Sequence, residues 1–304
     1  MDTVNTFGLD IGATKTSGVA LGDTGDVLAE VREPTELGPA GLLRTAARVV
    51  ERLTELGGQG PSGPIGVGVP GLVDVERGVV EHAVNLGLNG DRLRLAAVLG
   101  EQLGRPVVVE NDVNAATLGA AEVTGATDLA YVSLGTGLAA GLLLDGRLHR
   151  GHDGAAGEIG HIPVDPAGSL CTCGQRGCLE TVASGSALAA AWPSDGVPSA
   201  QALFAAARTG DPAALVERDR FADAVASAVR LLALSVNVET VVLGGGVAQL
   251  GEPLRVAVAD ALRQQAAAST FLAALDLPGR VRLLPAGVPV AALGAALVGR
   301  TRAS

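Results

Sequence analysis

The sequence predicts an α/β protein built from two related halves. Two observations lead there. Short apolar strands alternate along the chain with helices of amphipathic spacing, the pattern of sheets that bind ligands at strand ends. And two segments resemble one another as strand, Gly/Thr-rich hairpin turn, strand and second turn. The first runs from Phe7 through Asp10-Ile11-Gly12-Ala13-Thr14 into Ser17 to Leu21, then turns at Asp23-Thr24-Gly25. The second runs from Leu129 through Leu134-Gly135-Thr136-Gly137 into Gly141 to Leu144, then turns at Asp145-Gly146. One hairpin early and one mid-chain suggest a duplication.

The remaining elements follow in order. Gly41 to Leu56 carries Leu42, Leu43, Ala46, Val49, Val50 and Leu53 at helical spacing. Ile65 to Val69 reads as a strand stopped by Pro70-Gly71. Asp91 to Leu103 is helical, and Val107 to Glu110 is a buried strand ending at Asn111-Asp112, where a further helix opens. Asp219 to Ser235 is expected as a helix, Thr240 to Leu243 as a strand, and Gly244-Gly245-Gly246 as a turn into more helix. Pro193 to Pro198 reads as a surface loop, and Val288 to Val298 as an Ala-rich helix. The expected division is residues 1–114 plus 288–304 as a smaller domain closed by the C-terminal helix, and 115–287 as a larger one.

Length and charge exclude some functions. The 304 residues suffice for two domains. Met1-Asp2-Thr3-Val4 shows no secretory signal, and apolar stretches are interrupted well short of a membrane span. A net charge of −10 disfavours a nucleic-acid partner, and Arg92-Leu93-Arg94 reads as a solvated helix face. Arginine outnumbers lysine 21 to 1, which coding bias explains; the lone Lys15 stands in the first Gly/Thr turn.

The three cysteines fall within eight residues, at Cys171, Cys173 and Cys178, with His161 ten positions upstream. Three thiols and an imidazole make the ligand set of a closed Cys₃His zinc site, structural because no position stays open for water. A disulfide would leave one cysteine unpaired. Three inert turn residues would not explain why no other cysteine exists. Cysteines gathered at one metal site suit a reducing cytoplasm.

The first hairpin is not a Walker A loop, yet its N–H groups, Thr14 and the Lys15 ammonium can cradle phosphates. Asp10 could hold Mg²⁺ directly or through water. An ordinary hairpin is the plain alternative. Gly135, Thr136 and Gly137 in the second copy and the turn at Gly244 and Gly245 favour a three-sided nucleotide site. Asp112 is a candidate general base, with Asn111 as an amide for hydroxyls; the plain alternative is a helix N-cap. Glu158 precedes His161 by three residues and Glu180 follows Cys178 by two. Carboxylates beside an imidazole suit vicinal sugar hydroxyls, with surface acids as the alternative. His161 can bind metal through one nitrogen and substrate through the other.

These residues resemble the ROK family (repressors, uncharacterised reading frames and sugar kinases). The resemblance rests on Asp10-x-Gly12-x-Thr14-Lys15, Pro70-Gly71, Glu110-Asn111-Asp112-x-Asn114, Leu134 to Gly137, Gly154-x-x-Gly157-Glu158-Ile159-Gly160-His161 and the cysteine segment continuing to Leu179-Glu180. It implies a duplicated actin-like, ribonuclease-H-like fold whose two domains close over ATP and a hexose. It further implies Asp112 as base, with Asn85, Asn111, Glu158, His161 and Glu180 on sugar hydroxyls. Two positions depart from the family's usual glycines: Ala13, and Leu138-Ala139-Ala140 after the second turn. The expectation is a cytoplasmic ATP- and Mg²⁺-dependent hexose kinase with structural Zn²⁺. Its oligomeric state is expected to be a homodimer or a dimer of dimers, with neither nucleic-acid nor membrane partners. Glucose is the first candidate substrate, then N-acetylmannosamine or N-acetylglucosamine. The alternative is a sugar-binding regulator without turnover and without a DNA-binding domain.

Overall fold

The computed structural model describes residues 6–57, 60, 63–88 and 92–301. Met1 to Val4 and Asp91, on which the expectations above drew, lie outside those residues. The chain divides into two compact units. One comprises the chain up to Gly125, Leu148–Ala156 and the segment from Gly287; the other comprises Ala126–Arg147 and Gly157–Ala286.

The first unit contains β1 (Thr6–Ile11), β2 (Lys15–Leu21), β3 (Val27–Pro34), α1 (Pro39–Gly57), β4 (Ile65–Val69), the small hairpin β5 (Leu72–Asp74) and β6 (Val79–Glu81), α2 (Leu95–Leu103), β7 (Val107–Asn111) and α3 (Asp112–Thr124). Its sheet has the order β3-β2-β1-β4-β7, with β1 antiparallel to β2 and parallel to β4, and β4 parallel to β7. The second unit contains β8 (Leu129–Leu134), β9 (Leu138–Leu144), β10 (Arg147–Leu148), α4 (Gly185–Ala191), α5 (Ser199–Arg208), α6 (Pro212–Ser235), β11 (Thr240–Gly244), α7 (Glu252–Ala266), the short α8 (Thr270–Ala274) and α9 (Leu277–Arg280), and β12 (Val281–Leu283). Its sheet runs β10-β9-β8-β11-β12, again with an antiparallel hairpin and two parallel neighbours. The same strand order occurs twice, as the paired hairpins predict. The last helix, α10 (Val290–Thr301), belongs to the first unit.

The first sheet shows why its strands read as they do. Phe7, Leu9 and Ile11 of β1, with Ile65, Val67 and Val69 of β4, form one core with Leu42, Ala46, Val49 and Leu53 of α1. On the alternate positions, Gly8 stands in register with Gly66, and Asp10 with Gly68. That face has almost no side chains, so helices lie directly on the backbone. A Cβ at Gly66 would come within 1.7 Å of the Ala295 carbonyl oxygen of α10, and one at Gly294 within 1.7 Å of the Ala115 carbonyl oxygen of α3.

This packing explains where the unit boundary falls. The expected cut at 114 would separate α3 from the first unit. Instead α3 is locked to α10 through Gly119 and Gly294, and stays with that unit up to Gly125. Residues 148–156 also return to it. Element ends shift modestly elsewhere. α6 begins at Pro212 rather than Asp219, because Asp211 caps it by accepting from the Ala213 and Ala214 amides and Pro212 occupies the first turn. No helix among the described residues is long and apolar enough to cross a membrane.

The close contact gives a direct expectation. Gly294→Ala forces backbone apart, and overpacking of this kind costs about 1–3 kcal/mol. Urea denaturation should show that loss, whereas Gly246→Ala, whose Cβ meets nothing within 4 Å, should unfold like the parent.

Candidate active site and metal loop

In the first unit the register places Asp10, Gly68 and Glu110 side by side across β1, β4 and β7. The hairpin after Asp10 is closed by the Gly12 amide donating to the Lys15 carbonyl at 3.0 Å, and the Thr35 amide donates to the Thr14 carbonyl at 3.2 Å. Thr14 and Lys15 are exposed at its tip. Ala13 is absent from the residues with positive φ, so its methyl group is unstrained, and it packs against the unit's core. Burial, then the charge of Asp112, push the Asp10 carboxyl up to about 7, with Lys15 acting in the opposite sense. Burial and the neighbouring charge of Asp112 outweigh Lys15 on this side-chain-poor sheet face. The two carboxylates fit a divalent cation with oxygen ligands.

At the end of β7 the roles of neighbours separate. Asn111, not Asp112, is the cap of α3: its Oδ1 accepts from the Val113 and Asn114 amides, at 2.9 and 3.1 Å. Its Nδ2 donates to the Gly71 carbonyl at 3.2 Å, which leaves one amide hydrogen for a ligand. Asp112 is the first helical residue, and its Oδ1 also accepts from the Val113 amide at 2.9 Å. A Cβ at Gly68 would lie 3.6 Å from the Asp112 Cα, so the empty sheet face lets the helix start sit close. Asn85 is exposed on a single 3₁₀ turn, Val84–Leu86, in the same unit.

Glu110 was absent from the sequence-based site residues, and Arg150 gave no signal at all. Glu110 is fully buried. Its Oε1 accepts from the Asn111 amide at 3.0 Å and from Asn114 Nδ2 at 3.2 Å. Its Oε2 accepts from Arg150 Nε and Nη2 at 2.9 and 2.6 Å. A charged residue following Val107-Val108-Val109 was the available signal for Glu110; a partner forty positions away leaves none.

In the second unit the Gly135 amide donates to the Gly137 carbonyl at 3.1 Å, and the Gly185 and Ser186 amides at the start of α4 donate to the Gly135 and Thr136 carbonyls. The triple-glycine turn reaches the base of that hairpin. Gly245 has φ +80°, and a Cβ there would lie 2.6 Å from the Leu134 carbonyl oxygen. The lone tyrosine, Tyr131, accepts from the Gly245 amide through its hydroxyl at 3.2 Å. Gly135, Thr136, Gly137, Gly244 and Gly245 are therefore neighbours. Leu138-Ala139-Ala140 forms the start of β9, and Leu138 and Ala140 are buried in this unit's core. Strand backbone accepts a Cβ without strain, so the departure from the family's glycines imposes no backbone strain there.

The loop carrying Glu158 and His161 lies flat on β9. A Cβ at Gly157, φ +95°, would be 1.8 Å from the Ala140 carbonyl oxygen, and one at Gly160 would be 2.1 Å from that of Leu138. Glu180 meets the same strand, its Oε2 accepting from the Leu138 amide at 2.8 Å. His161 Nε2 lies 4.0 Å from Glu158 Oε2. Thus Glu158, His161 and Glu180 share the strand that begins at the second hairpin.

His161 turns its other nitrogen to the cysteines. Nδ1 is 3.7 Å from Cys171 Sγ, and Cys173 Sγ is 3.6 Å from Cys178 Sγ. All four ligand atoms lie within 4.8 Å of one another. A disulfide requires about 2.05 Å, and the three thiols are free. The 3.6 and 3.7 Å spacings are near the edge of about 3.8 Å that zinc–sulfur bonds near 2.3 Å give in a tetrahedron. The backbone holds this shape through the Cys171 amide donating to the Gln175 carbonyl at 2.7 Å and the Gly174 amide to the Cys171 carbonyl at 2.9 Å. Hydrogen bonds from Gln175 hold the Cys173 thiol down at about 6, while burial pushes Cys178 up to about 12. A shared divalent cation would stabilise all three as thiolates.

The chain matches the ROK family over residues 6–297 and belongs to it. It is 34% identical over 285 residues to a glucokinase of Thermotoga maritima, covering 86% of this chain and 89% of that one. The crystal structure of a ROK hexokinase from Thermus thermophilus superposes with a TM-score of 0.81 at 32% identity, over 98% of this chain and 99% of the other. A ROK family glucokinase from Streptomyces griseus, solved with glucose and AMPPNP, gives 0.80 at 31% identity with the same coverage. With the repeated strand order, these likenesses make the fold the duplicated actin-like, ribonuclease-H-like one.

Proposed function

We propose that this protein transfers the γ-phosphoryl group of ATP to a hexose at its C6 hydroxyl, glucose first and N-acetylmannosamine or N-acetylglucosamine next. The observation that carries this reading is Asp112 at the first turn of α3, held close to Asp10 by the side-chain-poor face of the first sheet. Likeness to a glucokinase solved with glucose and an ATP analogue supports it.

In this reading Asp112 accepts the proton of the sugar hydroxyl as that oxygen attacks phosphorus. The N–H groups of the turns at Gly12, Gly135 to Gly137, Gly244 and Gly245, with Thr14, Thr136 and the Lys15 ammonium, bind and orient the phosphates. Asp10 would hold Mg²⁺, directly or through water, and the ion would offset phosphate charge. Asn111 has one amide hydrogen for a sugar hydroxyl, and Asn85, Glu158, His161 and Glu180 offer further donors and acceptors. His161 Nδ1 and the sulfurs of Cys171, Cys173 and Cys178 would hold structural zinc, leaving Nε2 to the substrate side. Reduced cysteines of this kind support a cytoplasmic location, and light scattering will report whether the chain forms the expected homodimer or dimer of dimers.

Asp112→Asn is nearly isosteric and still bonds a hydroxyl, but accepts no proton. Sugar affinity should stay within a few-fold while kcat falls by about 10²-fold or more; near-normal kcat would move the base to Glu158. Elemental analysis should find one zinc per chain. Cys173→Ser should lower zinc content, melting temperature and sugar affinity together, because the loop orders Glu158 and Glu180. An ADP-release assay over a hexose panel decides the substrate. Each buried group left unpaired by the wrong epimer costs about 1–3 kcal/mol, so kcat/KM should drop about ten- to a hundredfold between epimers. Activity on an N-acetylated sugar with none on glucose would overturn the ranking and leave the kinase reading intact.

A further inference from the structure

We propose that Arg150 is a positioning residue for phosphoryl transfer: through Glu110 it fixes the strand-to-helix junction that carries Asn111 and Asp112. The proposal rests on the kinase reading above.

Glu110 is the hub of the junction. One carboxylate oxygen accepts from the Asn111 amide immediately before Asp112 and from Asn114 Nδ2 one turn into α3. A backbone amide just before Asp112 and a side chain of the first turn after it are thereby referred to a single group. Asn111 completes the arrangement by capping α3 and reaching the Gly71 carbonyl. Burying a carboxylate without solvent exposure is costly unless it is paired and hydrogen-bonded. Arg150 supplies the partner, with two N–H groups on the second oxygen, Nε at 2.9 Å and Nη2 at 2.6 Å. That fork fixes the carboxylate plane as well as its charge.

Arg150 is built to stay there. It opens a loop that closes on itself through the Ala156 amide donating to the Arg150 carbonyl at 3.1 Å. The loop turns at Gly151, φ +74°, and Gly154 faces the Val73 carbonyl of β5. The whole segment, Leu148–Ala156, packs with the first unit although the chain on either side belongs to the second. A return of nine residues whose guanidinium is spent on Glu110 is a costly arrangement for a surface loop and a sensible one for a brace.

Orientation errors of about 1 Å at a catalytic group can cost on the order of 10²-fold in rate. Arg150→Met is therefore expected to lower kcat about ten- to a hundredfold, with KM for ATP within about twofold. Arg150→Lys keeps the charge but lacks the planar fork, so it should fall between Met and wild type. The deciding variant is the double, Glu110→Gln with Arg150→Met. It removes both charges yet keeps an oxygen for the Asn111 amide and Asn114, and should recover most of the kcat lost by Arg150→Met alone. Steady-state kinetics are measured on wild-type and variant proteins whose circular dichroism and melting curves establish that they are folded. Wild-type kcat in folded Arg150→Met would overturn the proposal. So would wild-type kcat in Arg150→Lys, should the Met variant not fold. A double variant no better than Arg150→Met would also overturn it, because Arg150 would then act on substrate directly. A wild-type protein that turns over no hexose with any phosphoryl donor would instead remove the kinase reading, and this proposal with it.

Discussion

Backbone packed on backbone, with no side chain between, is the constraint on which the candidate groups of each unit depend. In the first unit the glycine face of β1 and β4 admits α10 and the start of α3. Because nothing separates the helix from the sheet, Asp112 comes close enough to Asp10 for their charges to be felt mutually. In the second unit Gly157 and Gly160 press the Glu158–His161 segment onto β9, and that placement aims one imidazole nitrogen at the cysteines. Van der Waals contact at such distances tolerates no slack, so the acids and amides are held by main chain rather than by flexible side chains.

Polar groups in these places are divided by task. Glu110 and Asn111 spend most of their hydrogen-bonding capacity on the protein itself. Glu180 gives one oxygen to the Leu138 amide, which ties this acid to the strand that leaves the second Gly/Thr turn. Asn85, Thr14 and Lys15 remain at the surface. Rigid support and open chemistry thus alternate along short segments, the arrangement expected where a catalytic group must be held while a ligand comes and goes.

Much of this was legible in the sequence because it is local. Hairpin turns, the Val107 strand, the Asn111 junction and the cysteine spacing each lie within a few residues. Their physical causes — turn chemistry, alternation, capping — act over that range. The division into two related halves also followed once the two hairpins were seen as copies. What escaped depends on distance along the chain. The assignment of α3 to the first unit needs Gly119 to meet α10, and the Glu110–Arg150 pair joins residues that no periodicity relates. The early start of α6 was a local error: Asp211-Pro212 is a cap and first-turn proline that should have been read as such.

The position of α10 has a consequence for how the protein is made. The helix that lies on β1 and β4 follows the whole second unit in the sequence, so that unit emerges from the ribosome before it. Until then the glycine face of the first sheet lies bare, with Asp10 beside it and α3 lacking its partner. The second unit can complete its own core while the first waits. Translation therefore delivers the cysteine loop with Glu158 and Glu180 before the junction bearing Asp112 is braced. A chain cut short within α10 would therefore hold one finished half.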